Sequence, residues 1–309
     1  MPSLKLVKSP TAAMAQSVED YLLACRSRGV KPSTIRDAYG YPLRSVFLPW
    51  CEQAGVASPA AVDARTLERF ASELRERRQR DGRPLSENTV WTYLKSTNQY
   101  LAWAAGEVEG GTAARVKLRK PPGRKVDVLE RDQIKALERA ALTERDKVII
   151  RLLADTGLRP GELASIHGGD LRRSGRRHYV RVRGKTGERE VGVTTEMYGR
   201  LRGISRGEDD PVFVGLRKDR RTGEREPLTV NGVRQMIRDL ALDAGVRTNV
   251  TPYTFRHSAC RWMLLSGMAT VEVAAILGHG SEAMIRDHYA NIGREDSHDK
   301  LMSLLRAER

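Results

Sequence analysis

Residues 251–289 read TPYTFRHSACRWMLLSGMATVEVAAILGHGSEAMIRDHY, and this stretch decides how the second half of the chain is read. Thr251 is a helix-capping residue, and Pro252 after it occupies the first helical position, where a missing N–H is harmless. Tyr253, Arg256 and His257 follow at i, i+3 and i+4, which predicts one shared helical face. Gly267 ends that helix. A second apolar run, Val271 to Leu277, stops at Gly278, a residue suited to a left-handed cap. His279 comes directly after the cap, where a rigid corner can aim its ring. Ser281 can start a third helix with Tyr289 near its end, beside Asp287 and His288. By itself the stretch is also compatible with three plain core helices and a surface tyrosine.

Two upstream segments sharpen the choice. In TGLRPGEL, residues 156–163, Gly157 stops one helix, Pro160 starts another, and Arg159 is held at the junction. Residues 178–193, HYVRVRGKTGEREVGV, alternate around a turn and predict a β-hairpin with Lys185 at its tip. The Gly-Lys-Thr at this tip is not a nucleotide-binding loop. The first glycine of that motif would fall at Tyr179, and a strand follows instead of a helix.

Taken together, Arg159 in its T-G-L-R-P-G-E-L corner, Arg256-His257, the Leu277-Gly278-His279 corner and Tyr289 ten residues beyond that histidine resemble the tyrosine recombinase (phage integrase) family. The resemblance covers about residues 128–292 and implies a mainly α fold with a small β-hairpin sheet in an α+β catalytic domain. It implies that Tyr289 attacks a DNA phosphodiester and holds the 3′ end as a phosphotyrosine, releasing a 5′ hydroxyl. Arg159 and Arg256 would neutralise the phosphate, as charged forks suit its oxygens. His279 would add a hydrogen bond, and Lys185 would protonate the leaving oxygen. Glu162 would orient an arginine, while His257 either does the same or only packs. Bond energy is conserved in the phosphotyrosine, so no cofactor is expected, and no metal site is foreseen.

One residue departs from the pattern. The family usually has histidine three residues before the second arginine, and this chain has Tyr253 there. A phenol with an ordinary pKa of about 10 is a poor base at neutral pH, so the family's base assignment does not transfer. The implied activity is site-specific DNA recombination by a tetramer on double-stranded DNA, with an accessory directionality factor as a further partner. The alternatives are a type IB topoisomerase, which uses similar residues as a monomer, and a non-enzymatic DNA-binding regulator. The regulator accounts for the charge but not for the catalytic set.

Composition agrees with a polyanionic partner. Among 309 residues, 54 are Lys or Arg and 39 are Asp or Glu, a formal charge of +15. No apolar run is long enough to span a membrane, and the first residues lack the apolar stretch of a signal peptide. Cys25, Cys51 and Cys260 are scattered, with neither zinc spacing nor a disulfide framework, which fits a reducing cytoplasm.

The length suits two domains. Residues 1–15 read as a flexible lead and 16–105 as a helical, core-type DNA-binding domain. Its four helices begin near Val18, after Pro32 with Ser33 as cap, around Leu67-Phe70-Ala71-Leu74, and at Ser86, with Leu85 as a staple. Gly40 and Pro42 predict a kink in the second. The charged faces carrying Arg75, Arg77, Arg78 and Lys95 are either solvated or laid on phosphate. Residues 106–127 read as a basic linker, in which Arg115, Lys117, Arg119, Lys120, Arg124 and Lys125 have no acid among them and are assigned to the DNA backbone. Residues 128–309 form the catalytic domain. Within it 203–228 reads as irregular, Thr229–Ala244 as helix, and the last residues, with Leu301, Met302, Leu304 and Leu305, as a short amphipathic helix for exchange between protomers.

Overall fold

The structure is a computed structural model that describes residues 12–79, 81–107, 114–122, 127–184, 187–219, 221–278, 285 and 302. The chain separates into two units, residues 1–123 and 124–309.

The first unit is helical. Helix α1, Ala12–Ser27, starts earlier than its apolar pattern suggested and buries Met14, Val18, Tyr21, Leu22 and Cys25. The next helical stretch opens with α2, Pro32–Thr34, on a proline at the first position; Lys31 is the cap residue, and Ser33 lies inside the helix instead of capping it. It continues through two wide turns, Ile35–Gly40 and Leu43–Phe47, into α3, Leu48–Ala54. The wide turns explain how the stretch tolerates Pro42 and Pro49 without breaking, since i→i+5 pairing re-routes the ladder around missing donors. Gly40 sits where a Cβ would lie 2.9 Å from the Ile35 carbonyl oxygen, so the wide turn depends on glycine.

Asp63 caps α4, Ala64–Glu76, through the Thr66 N–H, and Leu67, Phe70, Ala71 and Leu74 are all buried as their spacing requires. Ser86 accepts from the Thr89 N–H at the start of α5, Glu87–Glu107. The aromatic residues make the core: Phe47 meets Phe70 edge-on at 5.2 Å, and the buried Tyr100 hydroxyl donates to Ser17 Oγ at 2.9 Å.

The second unit builds its core on α7. Helices α6, Arg131–Ala140, and α7, Glu144–Thr156, are joined by Thr143, whose hydroxyl caps α7 through the Asp146 N–H. Most of α7 is buried, including Val148, Ile149, Ile150, Leu152 and Leu153, and Glu144, Arg151 and Asp155 are its exposed residues. Gly157 ends α7 at φ 62°, and α8, Pro160–Ala164, follows at once.

Strands β1, Leu171–Ser174, β2, Arg177–Gly184, and β3, Gly187–Val193, form an antiparallel sheet in the order β1-β2-β3. The predicted hairpin is β2–β3, in register from His178 opposite Val193 to Gly184 opposite Gly187; β1 was not foreseen. Helix α9, Thr195–Ile204, follows. The stretch read as irregular, 203–228, holds a small hairpin of β4, Val214–Lys218, and β5, Arg225–Pro227. Its strands are mostly exposed and carry little apolar patterning, which is why the sequence did not reveal them.

Helix α10, Val230–Asp243, buries Val233, Ile237, Leu240 and Ala241, with Val230 and Met236 half-buried. Helix α11, Pro252–Leu265, is capped by Thr251, whose hydroxyl accepts from the Thr254 N–H at 3.2 Å. Helix α12, Thr270–Leu277, ends at Gly278 with φ 64°, the left-handed cap its sequence called for. No helix among the described residues is long and apolar enough to cross a membrane.

Candidate active site

The last three carbonyls of α12 and its cap gather three guanidinium groups. Helix C-termini leave carbonyls without intrahelical donors and carry partial negative charge, so cations are favoured there. Arg189 Nε donates to the Ile276 carbonyl at 2.8 Å. Arg256 Nη2 donates to the Leu277 carbonyl at 2.7 Å, and Arg159 Nη2 donates to the Gly278 carbonyl at 2.9 Å. Arg159 Nη1 also reaches the Leu277 carbonyl, at 3.4 Å.

Each arginine arrives from a different local structure. Arg159 stands before α8, between the left-handed end of α7 and the proline that starts the next helix. Arg256 lies one turn into α11; it is 4% exposed, and its Nη1 donates to the Gly157 carbonyl at 2.9 Å. Arg189 lies on β3, just beyond the hairpin tip. Close approach of these segments needs small residues. A Cβ on Gly157 would sit 2.6 Å from Leu277 Cδ2, and one on Gly278 would sit 2.7 Å from Arg189 Nη1.

Glu162 holds the cluster together. Its carboxylate is 2% exposed and accepts four N–H groups. Oε1 takes Arg159 Nη1 at 2.8 Å and Arg189 Nη1 at 2.9 Å. Oε2 takes the Arg159 peptide N–H at 2.9 Å and Arg189 Nη2 at 3.0 Å. Burial alone would push this carboxyl up, but the Arg189 fork, the Arg159 N–H and the surrounding positive charge outweigh it and hold the carboxyl below the usual glutamate range. Gly184 at the end of β2 makes room, since a Cβ there would lie 2.5 Å from Glu162 Oε1.

Of the residues singled out from sequence, Arg159, Glu162 and Arg256 are brought together here. His257 is half-buried beside Arg256 on α11. Tyr253 is 48% exposed on the first turn of that helix and opens on a groove of about 480 Å³ whose lining includes Arg234, Arg238 and Arg247. It is therefore solvent-accessible where Arg256 is buried, although the two share a helical side. Lys185, His279 and Tyr289 lie outside the described residues, as do Arg124, Lys125 and most of the tail. What is described is the frame around them: β2 and β3 on either side of Lys185, and the pinned corner that ends one residue before His279.

Sequence reasoning missed Arg189. A signal was there, because Arg189 and Val191 share a parity on β3, and Val191 is buried. An arginine on the inward side of a strand calls for an acidic partner.

In the first unit, the segment read as a linker is partly anchored. The Asn98 side chain donates to the Val116 carbonyl at 2.8 Å and accepts from the Val116 N–H at 3.0 Å. Ala114, Val116 and Leu118 pack on that unit's core, while Arg115, Lys117, Arg119 and Lys120 are exposed. The basic side chains thus alternate with apolar ones and form an outward row.

The sequence profile of the phage integrase family matches residues 127–295. Tyrosine recombinase XerC of Xanthomonas campestris pv. campestris (strain B100) is 28% identical over 290 residues, covering 89% of this chain and 86% of the relative. Tyrosine recombinase XerA of Thermococcus onnurineus (strain NA1) is 26% identical over 275 residues, covering 87% and 88%. Among solved structures, XerH recombinase in a post-cleavage complex with a palindromic difH substrate aligns with a TM-score of 0.67 at 18% identity, over 96% of this chain and 86% of that one. The Tn1549 transposon integrase in complex with transposon right end DNA gives a TM-score of 0.67 at 18% identity, over 94% and 99%. At these identities the structural likeness speaks for the fold.

Proposed function

Because this chain belongs to the phage integrase family, we propose that it is a site-specific DNA recombinase that breaks and rejoins strands through a 3′-phosphotyrosyl intermediate. The observation that carries this reading is the buried meeting of Arg159 and Arg256 at the end of α12. Three guanidiniums and one carboxylate leave the site with an excess of positive charge. Buried charge of that kind calls for an anion, and a phosphodiester fits.

The chemistry proceeds as follows. The Tyr289 hydroxyl oxygen attacks the scissile phosphorus, its proton passing to solvent, and the bond from phosphorus to the 5′ oxygen breaks. Lys185, between β2 and β3 in the sequence, gives its proton to the departing oxygen, which leaves as a 5′ hydroxyl. Arg159 and Arg256 donate to the non-bridging oxygens as charge builds on them, with His279 adding a donor. Attack by a 5′ hydroxyl from a second duplex reverses each step and joins new partners. Tyr253 supplies a positioning hydrogen bond and does not take the nucleophile's proton. Neither a cofactor nor a metal enters the balance.

Residues 16–105 and 128–309 act as the two DNA-gripping domains, and the outward row Arg115, Lys117, Arg119, Lys120 lies on the DNA backbone together with Arg124 and Lys125. Four protomers assemble on the DNA, joined by the amphipathic tail. The reaction takes place in the cytoplasm, in keeping with three buried cysteines scattered along the chain. Relatives named as recombinases over most of their length favour this reading over DNA relaxation by a monomer.

Incubation with a nicked suicide duplex tests the reading, using a site selected by this chain from a randomised duplex library. The wild-type chain should form a covalent complex, whereas Tyr289→Phe should bind but form none. A covalent complex with the phenylalanine variant would remove Tyr289 from the mechanism.

A further inference from the structure

Glu162 is one buried carboxylate set between two guanidinium groups, and the two are not served alike. Arg189 meets it as a full fork, Nη1 on Oε1 at 2.9 Å and Nη2 on Oε2 at 3.0 Å. Arg159 gives it a single guanidinium nitrogen, Nη1 at 2.8 Å, together with its peptide N–H. Arg159 is also the more exposed of the two, its side chain 24% accessible against 14% for Arg189.

We propose that Arg189 is a positioning residue that engages the Glu162 carboxylate so that the Arg159 charge remains available to the scissile phosphate. The inference rests on the reading of Arg159 as a phosphate ligand. Bidentate arginine–carboxylate pairs are among the strongest polar contacts in proteins. Without Arg189, the guanidinium left on Glu162 among the described residues is that of Arg159, so the carboxylate turns its full charge on Arg159. The phosphate then has to compete with a buried anion for the same donor. With Arg189 in place the carboxylate orients Arg159 without neutralising it.

The fit is built, not incidental. The third nitrogen of Arg189, Nε, is fixed on the Ile276 carbonyl, two residues before Gly278. Gly278 leaves the guanidinium no spare space, as a Cβ there would come within 2.7 Å of Nη1. Arg189 thereby ties three segments together: the hairpin that carries Lys185, the Arg159 corner and the end of α12 that leads into His279. A change at one residue therefore reaches all three catalytic segments through hydrogen bonds.

The test is single-turnover cleavage of the selected nicked duplex at saturating protein, with DNA affinity and thermal melting measured in parallel. Arg189→Gln should slow cleavage by about 10- to 100-fold, the range for an outer partner that orients a reacting group, with Kd changed by no more than about threefold. Arg189→Lys should fall between the two, because an ammonium brings the charge without the fork. Adding Glu162→Gln to Arg189→Gln removes the unshared anion and should recover about fivefold or more of the lost rate, a coupling that additive damage cannot produce. A purely structural arginine would give losses that follow melting temperature and a double variant slower than either single one.

The proposal is overturned if Arg189→Gln and Arg189→Lys both cleave at the wild-type rate, or if Glu162→Gln deepens the Arg189→Gln defect. Absence of a covalent complex with the wild-type chain would instead overturn the recombinase reading, and this inference with it.

Discussion

Glu162→Gln is the most informative single change in the second unit, and it can be followed without any DNA. The substitution keeps the shape and removes the charge. Glu162 accepts four N–H groups, two on each oxygen. A glutamine offers one oxygen and one NH2 group, so in either orientation two donors are left facing a third. Two guanidiniums also lose their counter-ion. Removing one member of a buried ion pair costs about 3–5 kcal/mol. For a unit of this size each kcal/mol shifts the melting point by about 2–4 °C, so a drop of about 10 °C is expected at pH 7.

The dependence on pH fixes the cause. The Glu162 carboxyl is held below its ordinary value of 4.5 in the folded chain. A depressed carboxylate contributes stability that is fully present above the unfolded pKa and is lost as pH falls through the folded one. The gap between wild type and variant should therefore be widest above about pH 5 and shrink as pH falls below 4.5. The buried Asp170, also held low, is common to both chains and cancels in the difference. Calorimetric or circular-dichroism melts of both chains between pH 7 and pH 3 supply the measurement. A difference below about 1 kcal/mol at pH 7, or one that does not change with pH, would refute the account of Glu162 as the charged centre of the cluster.

Replacing Arg115, Lys117 and Arg119 by alanine should lower the salt slope of DNA binding by about 0.9 per lost phosphate contact and weaken specific and random duplexes alike; a loss confined to specific DNA would indicate base readout. Tyr253→Phe should slow cleavage by about tenfold, the worth of one hydrogen bond of roughly 1.4 kcal/mol, and Tyr253→His should stay active; complete loss in the phenylalanine variant would make the hydroxyl essential to the chemistry. Gly278→Ala forces a side chain into a backbone at φ 64° and against Arg189; the left-handed backbone alone costs about 1–2 kcal/mol, so a melt unchanged from wild type would count against the tight corner. Deleting residues 297–309 should impair assembly of paired sites, measured by native gel shift, more than binding to a single site.

Much of this protein was legible in the chain because its key features are local. A capping threonine before a proline, a glycine at a left-handed helix end and a two-residue alternation act over a few residues, and Thr251, Gly157, Gly278 and the hairpin around 185 are placed as read. Arg159 and Arg256 could be named from sequence through the family resemblance, and both stand close to these local features, one after Gly157 and the other one turn past Thr251. Three things depended on the tertiary structure.

The first is the wide-turned helix from Pro32 to Ala54, where Gly40 and Pro42 read as a kink and the ladder changes to wide turns on either side of Pro42. The second is the anchoring of residues 114–118, which Asn98 and a small apolar surface provide from another part of the chain. The third is Arg189, whose partners Glu162 and Ile276 lie 27 and 87 residues away. Local sequence fixes the direction a side chain takes from its strand or helix. The identity of the group that meets it depends on how distant segments pack, and in this site that packing converts an ordinary β-strand arginine into the partner of a buried carboxylate.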